Sequence, residues 1–428
     1  MSRPLVAVAL TGAFLIAPAL RAAGRQEVAP TPVTFKDAVA RAVERNPSAQ
    51  SAAEEILRAD ALVGQVRAGA LPQVSGAVSG VVYRGSAVVG ASGSSSLNQL
   101  AAGVTVAAPL YAPVQWALRV QAMDNKLVAE LAAADVRREI AVATAEAYLT
   151  VLGLQRVLDA NLSALETAQA HYQFARQLRE GGAGSRLNEL RAQQLVSADE
   201  VLVEEVRAGL YRAQEALGVL VADAGPLTVS DEPLLDVPPS LGAAIAAMPG
   251  ERTDLRLAAG REKAATRVAA DSWKDWLPSV SGLFVPQYAN PATSTQPAWS
   301  WSLRIAATVP IFDAGSRREK SAERSVLLKE SQIAFEGLVR QANSDVRTAE
   351  DAVVRSERAW ASAKRAAQQA GEVVDIVNIS FKVGASTNIE VIDAQRAARD
   401  AATAAAIADN QLRQARLGLL VALGRFPQ

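Results

Sequence analysis

Glu390 and Asp393 stand three residues apart, a spacing that places both carboxylates on one face of a helix. Taken alone, the pair reads as a solvated face with acidic side chains early in a helix, where the macrodipole favours them. His171 is the chain's one histidine, and neither cysteine nor clustered acids accompany it. It therefore reads as a helix-face residue and not a metal ligand. The absence of cysteine excludes disulfides, thiol chemistry and a lipid-modified N-terminal cysteine. No nucleophile–base pair, metal cluster or phosphate-binding loop stands out, so neither an enzyme nor a cofactor is expected. The 44 basic and 44 acidic residues cancel, which argues against nucleic acid as a partner.

Two short segments could end one helix and begin the next. The first is Gly181-Gly182-Ala183-Gly184-Ser185-Arg186 and the second is Val383-Gly384-Ala385-Ser386-Thr387. Glycine supplies left-handed backbone at a helix end, and Ser or Thr caps a helix start. Each is therefore predicted to be a tight helix–helix turn.

The elements around these turns occur twice. Pro72-Gln73-Val74-Ser75-Gly76 returns as Pro278-Ser279-Val280-Ser281-Gly282, roughly 200 residues later. A repeat that long is a whole architectural unit. The first unit, 24–222, is predicted to hold helix 34–71, strands 73–83 and 100–110, long helix 113–180 and helix 187–222. Asn46-Pro47 is expected to divide its first helix. The second unit, 241–428, holds helix 241–277, strands 278–288 and 298–310, long helix 316–381 and helix 388–424. A proline-rich linker, 223–240, joins them. The long helices lack proline after Pro113, and each reaches about 100 Å at 1.5 Å per residue. Apolar spacing of three and four from Ala147 to Tyr172 suggests coiled-coil packing. Two half-length helices stacked end to end would match one long helix.

The strands alternate. Trp299, Trp301, Leu303, Ile305, Ala307 and Val309 share one face, opposite Ser300, Ser302, Arg304, Ala306 and Thr308. The length suits a tilted membrane strand. Trp299, Trp301, Tyr288, Tyr83 and Tyr111 lie at or near strand ends, where amphipathic rings suit a lipid–water interface. Arg304 falls on the polar face. Four strands cannot close a membrane barrel, and open edges cannot sit in lipid. Membrane placement therefore demands several protomers: three copies give twelve strands and two give eight. At the N-terminus, Arg3, the apolar run Leu5 to Ile16 and Ala17-Pro18-Ala19 read as an export signal within residues 1–23.

This order of elements resembles the TolC family of outer-membrane efflux ducts. The residues that carry the resemblance are Ala42 to Asn46-Pro47, Leu71-Pro72, Pro109-Leu110-Tyr111, Ala147-Tyr148-Leu149, Val309 to Gly315, and Phe381-Lys382-Val383-Gly384 running on to Val391-Ile392-Asp393-Ala394-Gln395. The resemblance implies a mainly α fold with a membrane β-barrel part: a homotrimer sharing a 12-stranded barrel and a long α-helical barrel. It implies a passive duct in outer-membrane lipid. The partners it implies are a periplasmic adaptor and an inner-membrane exporter, proton-driven or ATP-driven. The two turns would be periplasmic tips that meet the adaptor. Glu390 and Asp393 would form acidic rings constricting the entrance and selecting cations, with Asn188 and Arg191 at the equivalent places of the first repeat. Ala183 follows Gly182 where the family favours a bulky apolar residue. The alternative class is an exported coiled coil, structural or adhesive, without a pore.

Overall fold

The computed structural model describes residues 30–82, 98–236, 241–292 and 297–426. Residues 1–23, expected as a signal, and Tyr83, expected at a membrane interface, lie outside them.

The chain begins with a short strand, β1 (Thr31–Val33). Thr34 then caps helix α1 (Phe35–Arg45), accepting from the Asp37 amide at 3.2 Å. Asn46 ends α1 and caps α2 (Pro47–Gly69), accepting from the Ser48 amide at 2.9 Å. Strands β2 (Gln73–Val82) and β3 (Asn98–Tyr111) follow, then the long helix α3 (Pro113–Glu180) and α4 (Arg186–Val221). The inter-repeat segment carries a strand absent from the sequence reading, β4 (Leu227–Val229), which pairs in parallel with β1.

In the second repeat the helix expected over 241–277 is three pieces. They are α5 (Leu241–Glu251), α6 (Thr253–Ala270) and a 3-10 helix, Asp271–Trp276. Arg252 forms the break between α5 and α6, held by Asp254, Asp345 and the carbonyl of Ala422. Strands β5 (Ser279–Asn290) and β6 (Trp299–Thr308), helix α7 (Ser316–Lys382) and helix α8 (Asn388–Ala422) complete the chain.

Helix α3 is the central column. It packs against α2 and α4 on one side and against α6 and α8 on the other, while α7 packs against α6 and α8. The order across the protomer is thus α2/α4, α3, α6/α8, α7. Burial follows this order: α3 buries side chains along most of its length, whereas α7 buries only Ala342 and Val346 among described residues.

Midway along α3, Tyr148 is fully buried and fastens the β1–β4 pair to the column. Its hydroxyl lies 2.9 Å from the Asp231 carbonyl and contacts the Asp231 carboxylate, which also accepts from the Phe35 amide at 2.7 Å. The Phe35 ring meets Tyr148 edge-on at 5.2 Å. Burial and the neighbouring carboxylate raise the phenol's pKa, so it stays protonated as a donor. Val33, Ile140, Val151, Leu217 and Leu227 close a core around it.

The four long strands form one antiparallel sheet in the order β2-β3-β5-β6. Register decides its chemistry. Val74 pairs with Val106, Val106 with Phe284, and Phe284 with Leu303. Val78 pairs with Ala102, Ala102 with Tyr288, and Tyr288 with Trp299. Directly paired side chains share a face, so each strand contributes its apolar set to one continuous surface. The opposite face carries Ser75, Ser79, Ser281, Ser300, Ser302 and Arg304, and Gln287 donates to Ser300 Oγ at 3.1 Å. Strands β2 and β6 are free edges of this sheet.

Candidate functional site

Both turns between helices carry the same hydrogen-bond pattern. Gly182 has φ +75° and Gly384 has φ +78°. The Gly182 amide donates to the Arg179 carbonyl at 3.0 Å and the Ala183 amide to the Leu178 carbonyl at 2.8 Å. In the second turn the Gly384 amide donates to Phe381 at 3.1 Å and the Ala385 amide to Ser380 at 2.8 Å. This pair of bonds is the Schellman motif, which satisfies carbonyls left over at a helix end. Ser185 caps α4, accepting from the Asn188 amide at 3.2 Å. Thr387 caps α8 in a capping box, where its own amide donates to Glu390 Oε2 at 2.7 Å.

Glu390 and Asp393 lie exposed on one face of α8, together with Ile389. The two are not alike. The Glu390 carboxylate is engaged in the cap, while Asp393 makes no hydrogen bond or ion pair among described residues. Asn188 and Arg191 lie on the corresponding part of α4, with Arg191 exposed.

A set of buried polar groups behind the tips escaped the sequence reading. Glu189 is only 3% exposed and pairs with Arg179 Nε at 2.8 Å and with Arg186. His171 lies on a buried face of α3. Its Nε2 donates to Asn388 Oδ1 at 2.9 Å, and Phe381 lies against its ring at 5.5 Å. Asn388 Nδ2 in turn donates to the Asn188 carbonyl at 3.4 Å. Deeper along the helices, Arg399 on α8 pairs with buried Asp199 on α4. These contacts tie the first tip to the second within one protomer. Two of the pairs, 188–388 and 199–399, are separated by 200 residues. The repeat length itself was the available signal, because near-equivalent positions of two repeats meet. Burial holds His171 below the usual imidazole pKa, opposed by its bond to Asn388.

At the other end of the molecule, Trp299 is 73% and Trp301 70% exposed on the apolar sheet face. The Tyr288 and Trp299 rings lie 5.3 Å apart. Apolar surface of this extent, on strands of membrane length, has lipid as its natural solvent. Among described residues no helix is long and apolar enough to cross a membrane. The surface suited to lipid is therefore the apolar face of the sheet, and the long helices extend away from it.

Fold and site together define a protein that couples a sheet with one apolar face to two long helical hairpins. The sequence profile described as "Outer membrane efflux protein" matches residues 38–222 and 247–425, and the chain belongs to that family. It is 24% identical over 398 residues to nodulation protein T of Rhizobium leguminosarum bv. viciae, covering 91% of this chain and 82% of that protein. It is 25% identical over 291 residues to outer membrane protein OprJ of Pseudomonas aeruginosa, covering 64% of this chain and 59% of that protein. The fold is similar to the CmeC outer membrane channel of Campylobacter jejuni, with TM-score 0.79, 16% identity, and coverage of 91% of this chain and 85% of that one. It is also similar to the open state of the MtrE outer membrane channel of Neisseria gonorrhoeae, with TM-score 0.76, 18% identity, and coverage of 92% and 90%. The chain is thus an efflux duct of the Gram-negative outer membrane and not an enzyme.

Proposed function

We propose that three copies of this chain close into one duct, which receives substrates from an inner-membrane exporter through a periplasmic adaptor. The observation that carries the closure is the pair of unpaired sheet edges. Edge β6 of one protomer next to β2 of another continues the antiparallel alternation, and unpaired strand edges are not tolerated in lipid. Two copies would give an eight-stranded barrel, whose interior is filled by side chains or one small ligand. Three copies give twelve strands and twelve helical columns, with room for cargo. The scarcity of buried residues on α7 supports an edge column that packs against the α2/α4 column of its neighbour.

The tips are the adaptor-docking ends. Exposed Ile376, Ile379 and Val383 lead down α7 to the second tip, and exposed Leu187 and Leu190 flank the first. These apolar rows suit a helical hairpin partner. Asp393, repeated three times about the axis, is the acidic constriction that selects cations, with Glu390 beside it partly committed to its cap. The exporter's energy source, proton or ATP, is left to the partner.

Single-channel conductance in planar bilayers tests this reading, with trimer formation checked by cross-linking between β2 and β6. The purified protein should show a small cation-selective conductance. Asp393→Ala should raise conductance and reduce cation selectivity more than Glu390→Gln does. Equal conductance in all three proteins would remove the acidic constriction. A cross-linked dimer would remove the twelve-stranded closure.

A further inference from the structure

The geometry points to a second membrane-anchoring site, on the helix-side end of the sheet, that binds the phosphate-bearing headgroup of a periplasmic-leaflet phospholipid. It rests on the outer-membrane placement of the sheet and is independent of the gate and of the adaptor.

The site begins with a β-bulge. Along β3, Val106 pairs with Phe284, Ala108 with Gly282 and Pro109 with Ser281. After the register shift, Tyr111 pairs with Val280. By simple alternation Tyr111 would join Thr105, Ala107 and Pro109 on the polar face. The extra residue moves it onto the apolar face with Val280, Gly282 and Phe284, as bulges re-aim side chains. Leu110 lies beside it, over the open Cα of Gly282. Tyr111 meets Trp116 of α3 edge-on, with ring centroids 5.5 Å apart. Leu110, Tyr111 and Trp116 are all exposed.

The spacing fits a bilayer. From Tyr288, beside Trp299, to Val280, beside Tyr111, is eight residues along β5. That is roughly 26 Å along the strand at about 3.3 Å per residue, or roughly 20 Å of height at a strand tilt of about 40°, and the rings at both ends extend it toward the apolar band of outer-membrane barrels, about 25 Å. Tyr111 and Trp116 therefore form the lower aromatic girdle that answers Tyr288 and Trp299 above.

One turn further down, Trp116, Arg119, Met123 and Leu127 recur at three- and four-residue spacing on one face of α3. Arg119 and Met123 line a cleft of about 270 Å³ against Asp60, Val63 and Arg67 of α2. Five charged groups face this cleft: Asp60, Arg67, Arg119, Lys126 and Glu130. Lys126 pairs with Asp60 at 2.6 Å and lies near Glu130. Arg67 and Arg119 form no ion pair among described residues. Two uncommitted guanidinium groups thus stand just below an aromatic girdle, at headgroup depth. Guanidinium groups bind phosphate oxygens as bidentate donors, and Arg snorkels from apolar surface to reach them.

The test uses the full chain. Reconstituted into phosphatidylethanolamine–phosphatidylglycerol vesicles, the Trp116 fluorescence (the difference between the protein and Trp116→Phe) should be quenched by lipid brominated near the glycerol. It should be quenched at least about twofold less by lipid brominated at the chain end. Equal quenching by both, or by neither, overturns the girdle. By native mass spectrometry of detergent-solubilised protein, Arg67→Gln/Arg119→Gln should retain phosphatidylglycerol about tenfold less than the parent. Arg358→Gln, on the exposed α7, should retain it fully. Unchanged retention in the double variant, with a parental melting curve, overturns the headgroup site. Displacement of the lipid by inorganic phosphate alone would make it a simple anion site and overturn the lipid assignment.

Discussion

Replacing Gly384 by alanine isolates the backbone of one tip. At φ +78° a side chain is strained, yet nothing lies within 4 Å of the position a Cβ would take. The penalty is therefore conformational, about 1–2 kcal/mol for left-handed backbone in an L-residue. Ala222 and Ala314 already hold φ +59° and +54°, so the fold tolerates such a residue and the chain should still assemble. A change that small is hard to read in the melting of so large a protein. It should be plain in local hydrogen exchange. The amides of Gly384 and Ala385 close the Schellman motif and should exchange roughly 5–30-fold faster in Gly384→Ala. Gly182→Ala should do the same to the amides of Gly182 and Ala183. The control is Gly181→Ala: there φ is −76° and the nearest atom to a Cβ is 3.4 Å away, so exchange should be unchanged or slower. Unchanged protection in Gly384→Ala, or equal loss in Gly181→Ala, would refute the claim that left-handed geometry holds the tips.

Two further outcomes follow from the sheet and from the buried imidazole. Leu303→Arg places a charge on the apolar face near mid-strand and should cost about 2–4 kcal/mol of membrane stability, whereas Ser302→Arg on the opposite face should be tolerated; urea unfolding from vesicles measures both. His171 has a lowered pKa when folded, so below about pH 6.5 the unfolded chain binds a proton that the folded one excludes. Tip stability should therefore fall as pH drops through that region and be fully present above it, a slope that His171→Gln should flatten in pH-dependent hydrogen exchange of Asn388 and its neighbours.

The local chemistry of this chain was legible from residue order. Glycine followed by Ser or Thr marked both tips, because helix termination and capping are settled within a few residues. Alternation marked the strands, and Asn46-Pro47 marked the first break. The break at Arg252 was missed although Pro249-Gly250 stands just before it, and part of what holds it, Asp345 and the Ala422 carbonyl, lies far along the chain. The same holds for β1 and β4, three-residue strands that exist only because each finds the other beside Tyr148.

Sequence by itself determined the duplicated plan and the membrane-length strands. Each of these is written in spacing along one segment. The tertiary structure decided which of the two carboxylates stays free, since Glu390 is drawn into a cap and Asp393 is not. It also made His171 a buried link between repeats and turned Tyr111 onto the lipid face. Those outcomes depend on register and on partners as many as 217 residues away. Burial and pairing energies are properties of the assembled contact, and no local pattern encodes them.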